Sequence, residues 1–268
     1  MSNIVKAFQN KKSLIVFITG GDPDVETTEK LIIALTESGT DLIEIGIPFS
    51  DPIAEGPVIQ AASKRALESG TTTDKLLEMV ARVRRKVAIP ILFMTYLNPI
   101  YVYGKERFLS ACNDAGIEGI IVPDMPFEEK GELSEDCAKF GIDLISMVAP
   151  TSDERIAMIA KESEGFLYCV SSLGVTGMRN EINTDIAKVV AQAKAMTDVP
   201  CAIGFGISDA NQAREMAKIA DGVIVGSAVV KIIADHGRES IEPVKAFIQT
   251  LKVAIESVSM ENQKNKTQ

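Results

Sequence analysis

Two acidic residues stand where apolar or turn residues belong. Glu44 lies in the middle of DLIEIGI (41–47), a run whose isoleucines otherwise mark a buried β-strand. Glu55 follows in the Gly/Pro-rich stretch PFSDPIAEGP (48–57). Side chains alternate along a strand, so Ile43, Ile45 and Ile47 share one face while Leu42, Glu44 and Gly46 share the other. If the isoleucines pack under covering helices, Glu44 turns to the opposite, enclosed face. A carboxyl group there loses hydration, its pKa rises, and it can act as a general acid at neutral pH. The plainer alternative is a glutamate paired with lysine or arginine. Neither residue occurs within any of the strand runs named below, so such a partner must come from a loop.

Other chemistry is sparsely provided. The chain has one histidine, His236, so a histidine-based metal site or a Ser-His-Asp triad is hard to build. Cys112, Cys137, Cys169 and Cys201 are scattered without C-x-x-C spacing and read as buried thiols in a reducing cytosol, not as metal ligands or a disulfide framework. The formal net charge of -9 argues against a general binder of nucleic acid or anionic membrane. It leaves room for a local anion seat made from backbone N–H groups. Three glycine-bearing segments could form one: SLGVTG (172–177), GFGIS (204–208) and VGSAVV (225–230). The alternative is that these glycines only permit tight turns. GVTG also reads as a mobile lid around Thr176, with a plain surface loop as the alternative.

The elements that must position these groups alternate regularly. Strand runs fall at 13–19, 41–47, 90–96, 117–123, 142–148, 165–171, 200–206 and 221–227, apolar on both faces as covered parallel strands are. Helical patterns fall at 25–39, 104–116, 128–141, 152–163, 183–196, 208–220 and 240–258, with an extra helix in NIVKAFQNKK before the first strand. Eight such units in 268 residues predict an α/β fold, a (β/α)₈ TIM barrel with an extra N-terminal helix, over an open doubly wound sheet. With 46% apolar residues and no linker, residues 1–258 read as one domain and 259–268 as a polar, disordered tail. No signal-peptide layout and no run of roughly 20 apolar residues appears, which predicts a cytoplasmic protein. Active sites of this fold gather at the C-terminal strand ends. The unusual loops gather there too: TGGDPD, PFSDPIAEGP, YLNPIYVYG, PDMPFEE, APTSDE, SLGVTGMRN, GFGISD and GSAVV.

These motifs, in this order, resemble the α subunit of tryptophan synthase over essentially the whole chain. IEIGIPFSDPIAEGP resembles that family's signature around its first catalytic acid, and TGGDP, PILFMTYLNPIYVYG, VPDMPFEE, YCVSSLGVTGMRN, GFGIS and VGSAVV match its other segments. The resemblance implies a lyase that performs retro-aldol cleavage of indole-3-glycerol phosphate to indole and D-glyceraldehyde 3-phosphate. It implies no cofactor or metal in this chain, and a β subunit carrying pyridoxal phosphate in an α₂β₂ assembly that receives the indole. By resemblance, Glu44 is the proton-transferring acid and Glu55 the carboxylate that holds the indole N–H. Phe205, Tyr168 and Thr176 contact substrate, Gly177, Gly206, Gly226 and Ser227 hold phosphate, and Asp51 communicates with the partner. The sequence departs from the commonest family form, which has aspartate at position 55. An indole-3-glycerol phosphate synthase would need a lysine at a strand end, which this chain lacks. A lapsed activator of a β subunit and a stand-alone indole-releasing lyase are the remaining alternatives.

Overall fold

The computed structural model describes residues 2–170, 184–204 and 206–266. A short helix α1 (Asn3–Ala7) precedes β1 (Ser13–Thr19), α2 (Val25–Glu37) and β2 (Leu42–Gly46). Two helices follow, α3 (Pro57–Glu68) and α4 (Thr73–Val83), then β3 (Ile91–Met94), α5 (Leu97–Tyr103), α6 (Lys105–Ala115) and β4 (Gly119–Ile121). The remainder runs α7 (Gly131–Lys139), β5 (Asp143–Ile145), β6 (Met147–Val148), α8 (Asp153–Lys161), β7 (Leu167–Val170), α9 (Thr184–Lys194), β8 (Cys201–Gly204), α10 (Ala210–Ile219), β9 (Gly222–Val225), α11 (Ser227–His236) and α12 (Ile241–Lys266).

All strand pairs are parallel, in the order β5-β4-β3-β2-β1-β9-β8-β7-β6. The nine segments occupy eight barrel positions. The run expected as one strand at 142–148 is divided at Ser146: β5 pairs with β4, and β6 pairs with β7. The Ser146 carbonyl accepts from Tyr168 N–H at 3.0 Å, bridging to the last neighbour. Barrel strands are tilted and staggered, so a strand can leave one neighbour before it meets the next. That hand-over closes the barrel. Helices α3, α4 and α5 stand where the sequence reading places none. The face of α3 is built mostly of small residues, Ala62, Ser63 and Ala66 beside Ile59, which gives a weak helical stripe. Glycines read as helix stops do adopt left-handed backbone, with φ of +93° at Gly39, +84° at Gly116 and +68° at Gly141.

Burial separates two layers. Ile43, Ile45 and Ile47 join residues such as Leu31, Leu35, Leu76 and Val80 in the sheet–helix layer. Leu42 instead packs inside the barrel with Ile15, Leu92, Ile121, Ile145, Phe166 and Ile224. Ile4 and Phe8 join this inner cluster, so α1 plugs the N-terminal end of the barrel. The fit is tight: a Cβ on Gly222 would come within 2.7 Å of the Phe8 ring. All four cysteines are buried and free. No helix among the described residues is long and apolar enough to cross a membrane.

Phe8 is only 7% exposed and its ring lies 5.6 Å from that of Phe166. Phe8→Ala should therefore cost about 3–5 kcal/mol of stability, read from urea unfolding. Turnover per folded molecule should hold, because the plug lies at the end of the barrel opposite the strand C-termini.

Candidate active site

The strand geometry turns Glu44 inward. In register it sits beside Phe17 of β1 and Leu92 of β3, and its side chain is 0% exposed. Neither carboxyl oxygen has a hydrogen-bond partner among the described residues. Burial alone pushes its pKa up to about 8, so the group holds its proton at neutral pH.

Two aromatic rings surround this acid, and glycines make space for them. A Cβ on Gly46, two residues beyond Glu44, would come within 2.6 Å of the Phe17 ring. One on Gly204 would come within 2.4 Å of the Tyr168 hydroxyl. Phe17 thus lies across β2, and Tyr168, on β7, lies across β8. Burial and, secondarily, the charge of Glu44 raise the pKa of Tyr168, which places that hydroxyl within electrostatic reach of the acid. Tyr168, expected at the substrate by resemblance, stands on the barrel side of β7, where it packs with the inner cluster; Phe17 is a neighbour the sequence reading missed. Its signal was the pairing of an inward aromatic on β1 with a glycine on β2.

Glu55 is held differently. It lies in the ten-residue loop 47–56, partly buried, with Oε2 buried and unpartnered among the described residues. Burial lifts its pKa to about 7. Tyr96, 2% exposed at the end of β3, fixes the loop from one side. Its hydroxyl accepts from Ala54 N–H at 3.0 Å, and its ring packs against Phe49 at 5.4 Å. The pKa of Tyr96 is raised by burial first, with the charge of Glu55 contributing, so the two groups are neighbours. The next residue, Leu97, donates its N–H to Asp124 at 3.0 Å, which anchors the turn into α5. Tyr96 was missed in the sequence because it reads as the last apolar residue of a strand. Asp51 lies at the exposed outer part of the same loop and accepts from the Ser50 hydroxyl.

On the other side of β1 from β2, at the end of β9, Gly226 directly precedes α11 and Ser227 is its first residue. Gly206, at φ +28°, follows β8. Strand end and helix start meet here as a partly exposed helix N-terminus, which favours an anion. Phe205, Thr176 and Gly177 lie outside the described residues.

Comparison with known proteins decides the family. The family model described as tryptophan synthase alpha chain matches residues 4–259. The tryptophan synthase alpha chain of Lacticaseibacillus casei is 44% identical over 257 residues, covering 96% of this chain and 97% of its own. Among solved structures, tryptophan synthase of Mycobacterium tuberculosis superposes with a TM-score of 0.88 at 33% identity, covering 95% of this chain and 98% of its own. A structure of the tryptophan synthase α₂β₂ complex of Pyrococcus furiosus gives 0.84 at 40% identity, covering 90% and 98%.

The chain belongs to the tryptophan synthase alpha chain family. It is a lyase that cleaves indole-3-glycerol phosphate, on a TIM barrel. A tryptophan synthase alpha chain must handle an apolar ring and a phosphate at once. This mouth offers aromatic walls, and a helix N-terminus beside one of them: a Cβ on Gly226 would come within 3.4 Å of the Phe17 ring.

The unpaired carboxyl of Glu44 has a consequence for stability. Its folded pKa, about 8, is raised above the ordinary 4.5, so the folded state holds this proton more tightly than the unfolded chain does. The contribution is intact below pH 4.5 and is lost as pH rises, at roughly 1.4 kcal/mol per pH unit, until the folded group ionises near pH 8. Glu44→Gln removes that loss. Denaturant unfolding at pH 5 and pH 8.5 should show the variant gaining several kcal/mol over the parent between the two. Parallel pH curves would mean that Glu44 is not a buried, uncompensated acid.

Proposed function

We propose that Glu44 and Glu55 divide the cleavage of indole-3-glycerol phosphate between them, with no cofactor of this chain's own. Breaking the bond between indole carbon 3 and the glycerol chain requires a proton on that carbon. It also requires neutralising positive charge that spreads to the ring nitrogen, and removing a proton from the side-chain hydroxyl that becomes the aldehyde. Glu44 gives its proton to carbon 3. The carboxylate so formed takes the hydroxyl proton as the carbon–carbon bond breaks, and Glu44 ends protonated as it began. Glu55, ionised, accepts the ring N–H and balances the developing charge. The observation that supports this division most is the acid of Glu44: fully buried, uncompensated, and set against Phe17 where an aromatic ring would rest.

Ring contacts are assigned to Phe17 and Tyr168, and by family resemblance to Phe205 and Thr176, which lie outside the described residues. The phosphate is assigned to the N-terminus of α11, through Gly226 and Ser227, with Gly206 and Gly177. The Pyrococcus furiosus neighbour is an α₂β₂ complex, and the same assembly is assigned here. The β subunit would carry pyridoxal phosphate and take up the indole. Exposed apolar side chains favour such a docking face: Ile53 is 74% exposed, Val102 80% and Tyr101 46%. They lie on the Glu55 loop and on α5, elements joined through Tyr96. Asp51, on the same loop, is assigned to communication with the partner. Four free thiols suit a reducing compartment, the cytoplasm.

Glu44→Gln should lower turnover at least 10²-fold, the usual size of a general acid–base contribution, with KM little changed. Near-normal indole release would remove Glu44 from the mechanism. Glu55→Asp should stay within about tenfold, since the charge is kept and only its placement changes. Acidity gives a further check. kcat/KM should rise as Glu55 ionises near pH 7 and fall as Glu44 loses its proton near pH 8. Whatever activity Glu44→Gln retains should lack the alkaline fall.

A further inference from the structure

The TGGDP loop after β1 takes no part in the chemistry above, yet its aspartate makes the best-formed ion pair beside the mouth. Asp22, 1% exposed, receives both prongs of the Arg65 guanidinium, from Nε at 2.8 Å and Nη2 at 2.7 Å. Arg65 stands in the last turn of α3, the helix that begins two residues after Glu55. The Ser69 hydroxyl, just past α3, donates to the Gly21 carbonyl at 3.3 Å. Gly21 has φ +85°, and a Cβ there would lie 2.0 Å from Thr71 Oγ1, so the loop is pressed against the chain leaving α3. The loop itself is tied to α2, because Gly21 N–H donates to Thr28 Oγ1 at 2.9 Å.

At the other end of α3 the chain runs into the acid with little slack. Gln60 Nε2 donates to the Glu55 carbonyl at 2.8 Å, and Pro57 is the first helical residue. From residue 55 to 65 is about 15 Å of nearly rigid rod. A thin stripe of mostly small residues seats this rod, Ile59, Ala62, Ser63 and Ala66, with Ile59 and Ala62 against Phe17 and Val230. Small apolar contacts fix distance but tolerate sliding. A two-pronged, planar pair fixes direction as well.

We propose that Asp22 and Arg65 form a positioning pair for Glu55. They set the axial placement of α3, and through it where the carboxylate meets the ring nitrogen. Tyr96 holds the loop from the β3 side and α3 from the β1 side, so the acid is located by two anchors that flank β2. This rests on the role given to Glu55 above.

The test is a double-mutant cycle in the full chain, with and without a β subunit, following indole release from indole-3-glycerol phosphate. Arg65→Met should lower kcat by about 10- to 100-fold, the cost of an ångström-scale misplacement, with KM within about threefold because neither Asp22 nor Arg65 is among the residues assigned to the phosphate. Arg65→Lys, which keeps the charge but not the fork, should recover part of the loss. Glu55→Gln should be slow by itself. The double variant Glu55→Gln/Arg65→Met should be no slower than Glu55→Gln alone, within about twofold, since the pair acts only through that acid. Losses that multiply would overturn the pair's role while leaving Glu55 in place, as would wild-type kcat in Arg65→Met. Full turnover in Glu55→Gln would instead remove the role of Glu55, and the positioning role with it. If Arg65→Met does not fold, Asp22→Asn, which keeps the shape and removes the charge, carries the same cycle with the same outcomes.

Discussion

A carboxyl group taken out of water with no cation beside it keeps its proton, and the architecture of the mouth follows from holding Glu44 in that condition. Three features serve it. The barrel must close, or water would enter between strands; the divided strand β5/β6 closes it by pairing with β4 on one side and β7 on the other. The base must be sealed, which α1 does with Ile4 and Phe8. The walls beside the acid must be apolar and tall. Gly46 and Gly204 allow this by leaving space for the rings of Phe17 and Tyr168. A methyl group at either glycine would displace a ring and admit solvent to the acid.

The two acids differ in how they are held, and that difference matches the difference between the tasks proposed for them. Glu44 stands on a strand whose neighbours on both sides fix its backbone. A group that must deliver a proton to one carbon gains from a backbone that does not move. Glu55 is carried on a loop, half out of water, and its pKa is raised less. Balancing a charge spread over a ring tolerates more movement, and a loop that also presents Asp51 and Ile53 outward can respond to what binds there. Positional freedom at Glu55 is useful only while it is limited, which is why its loop is held from both sides.

Much of this was legible in the sequence because strand alternation is strict. The inward turn of Glu44 follows from three isoleucines at every second position, and the structure puts those isoleucines in the outer layer. The eight strand runs also follow from local pattern. What was not legible depends on long-range geometry. The break at Ser146 reflects barrel stagger, which no single strand encodes. Helix α3 was overlooked because alanines and a serine form much of its buried face, and small residues give little periodic contrast. Tyr96 looks like one more strand residue until its hydroxyl is seen to accept from Ala54, 42 positions away. Asp22 and Arg65, 43 positions apart, carry no mark of partnership in the sequence.

The added methylene at position 55 can be reconsidered on this geometry. With glutamate in place of aspartate, either the backbone retreats or the side chain bends. The backbone around residue 55 is held on both sides: Ala54 N–H by Tyr96, and the Glu55 carbonyl by Gln60. Those bonds, at 3.0 and 2.8 Å, have ordinary lengths and show no sign of a retreat under tension. One carboxyl oxygen is buried without a partner among the described residues, and the whole group is partly desolvated. Glu55 leaves water less completely than Glu44 does. Its proton is accordingly held less tightly, and the order of the two pKa values, Glu55 below Glu44, is the order that a charge-balancing base and a proton-donating acid require.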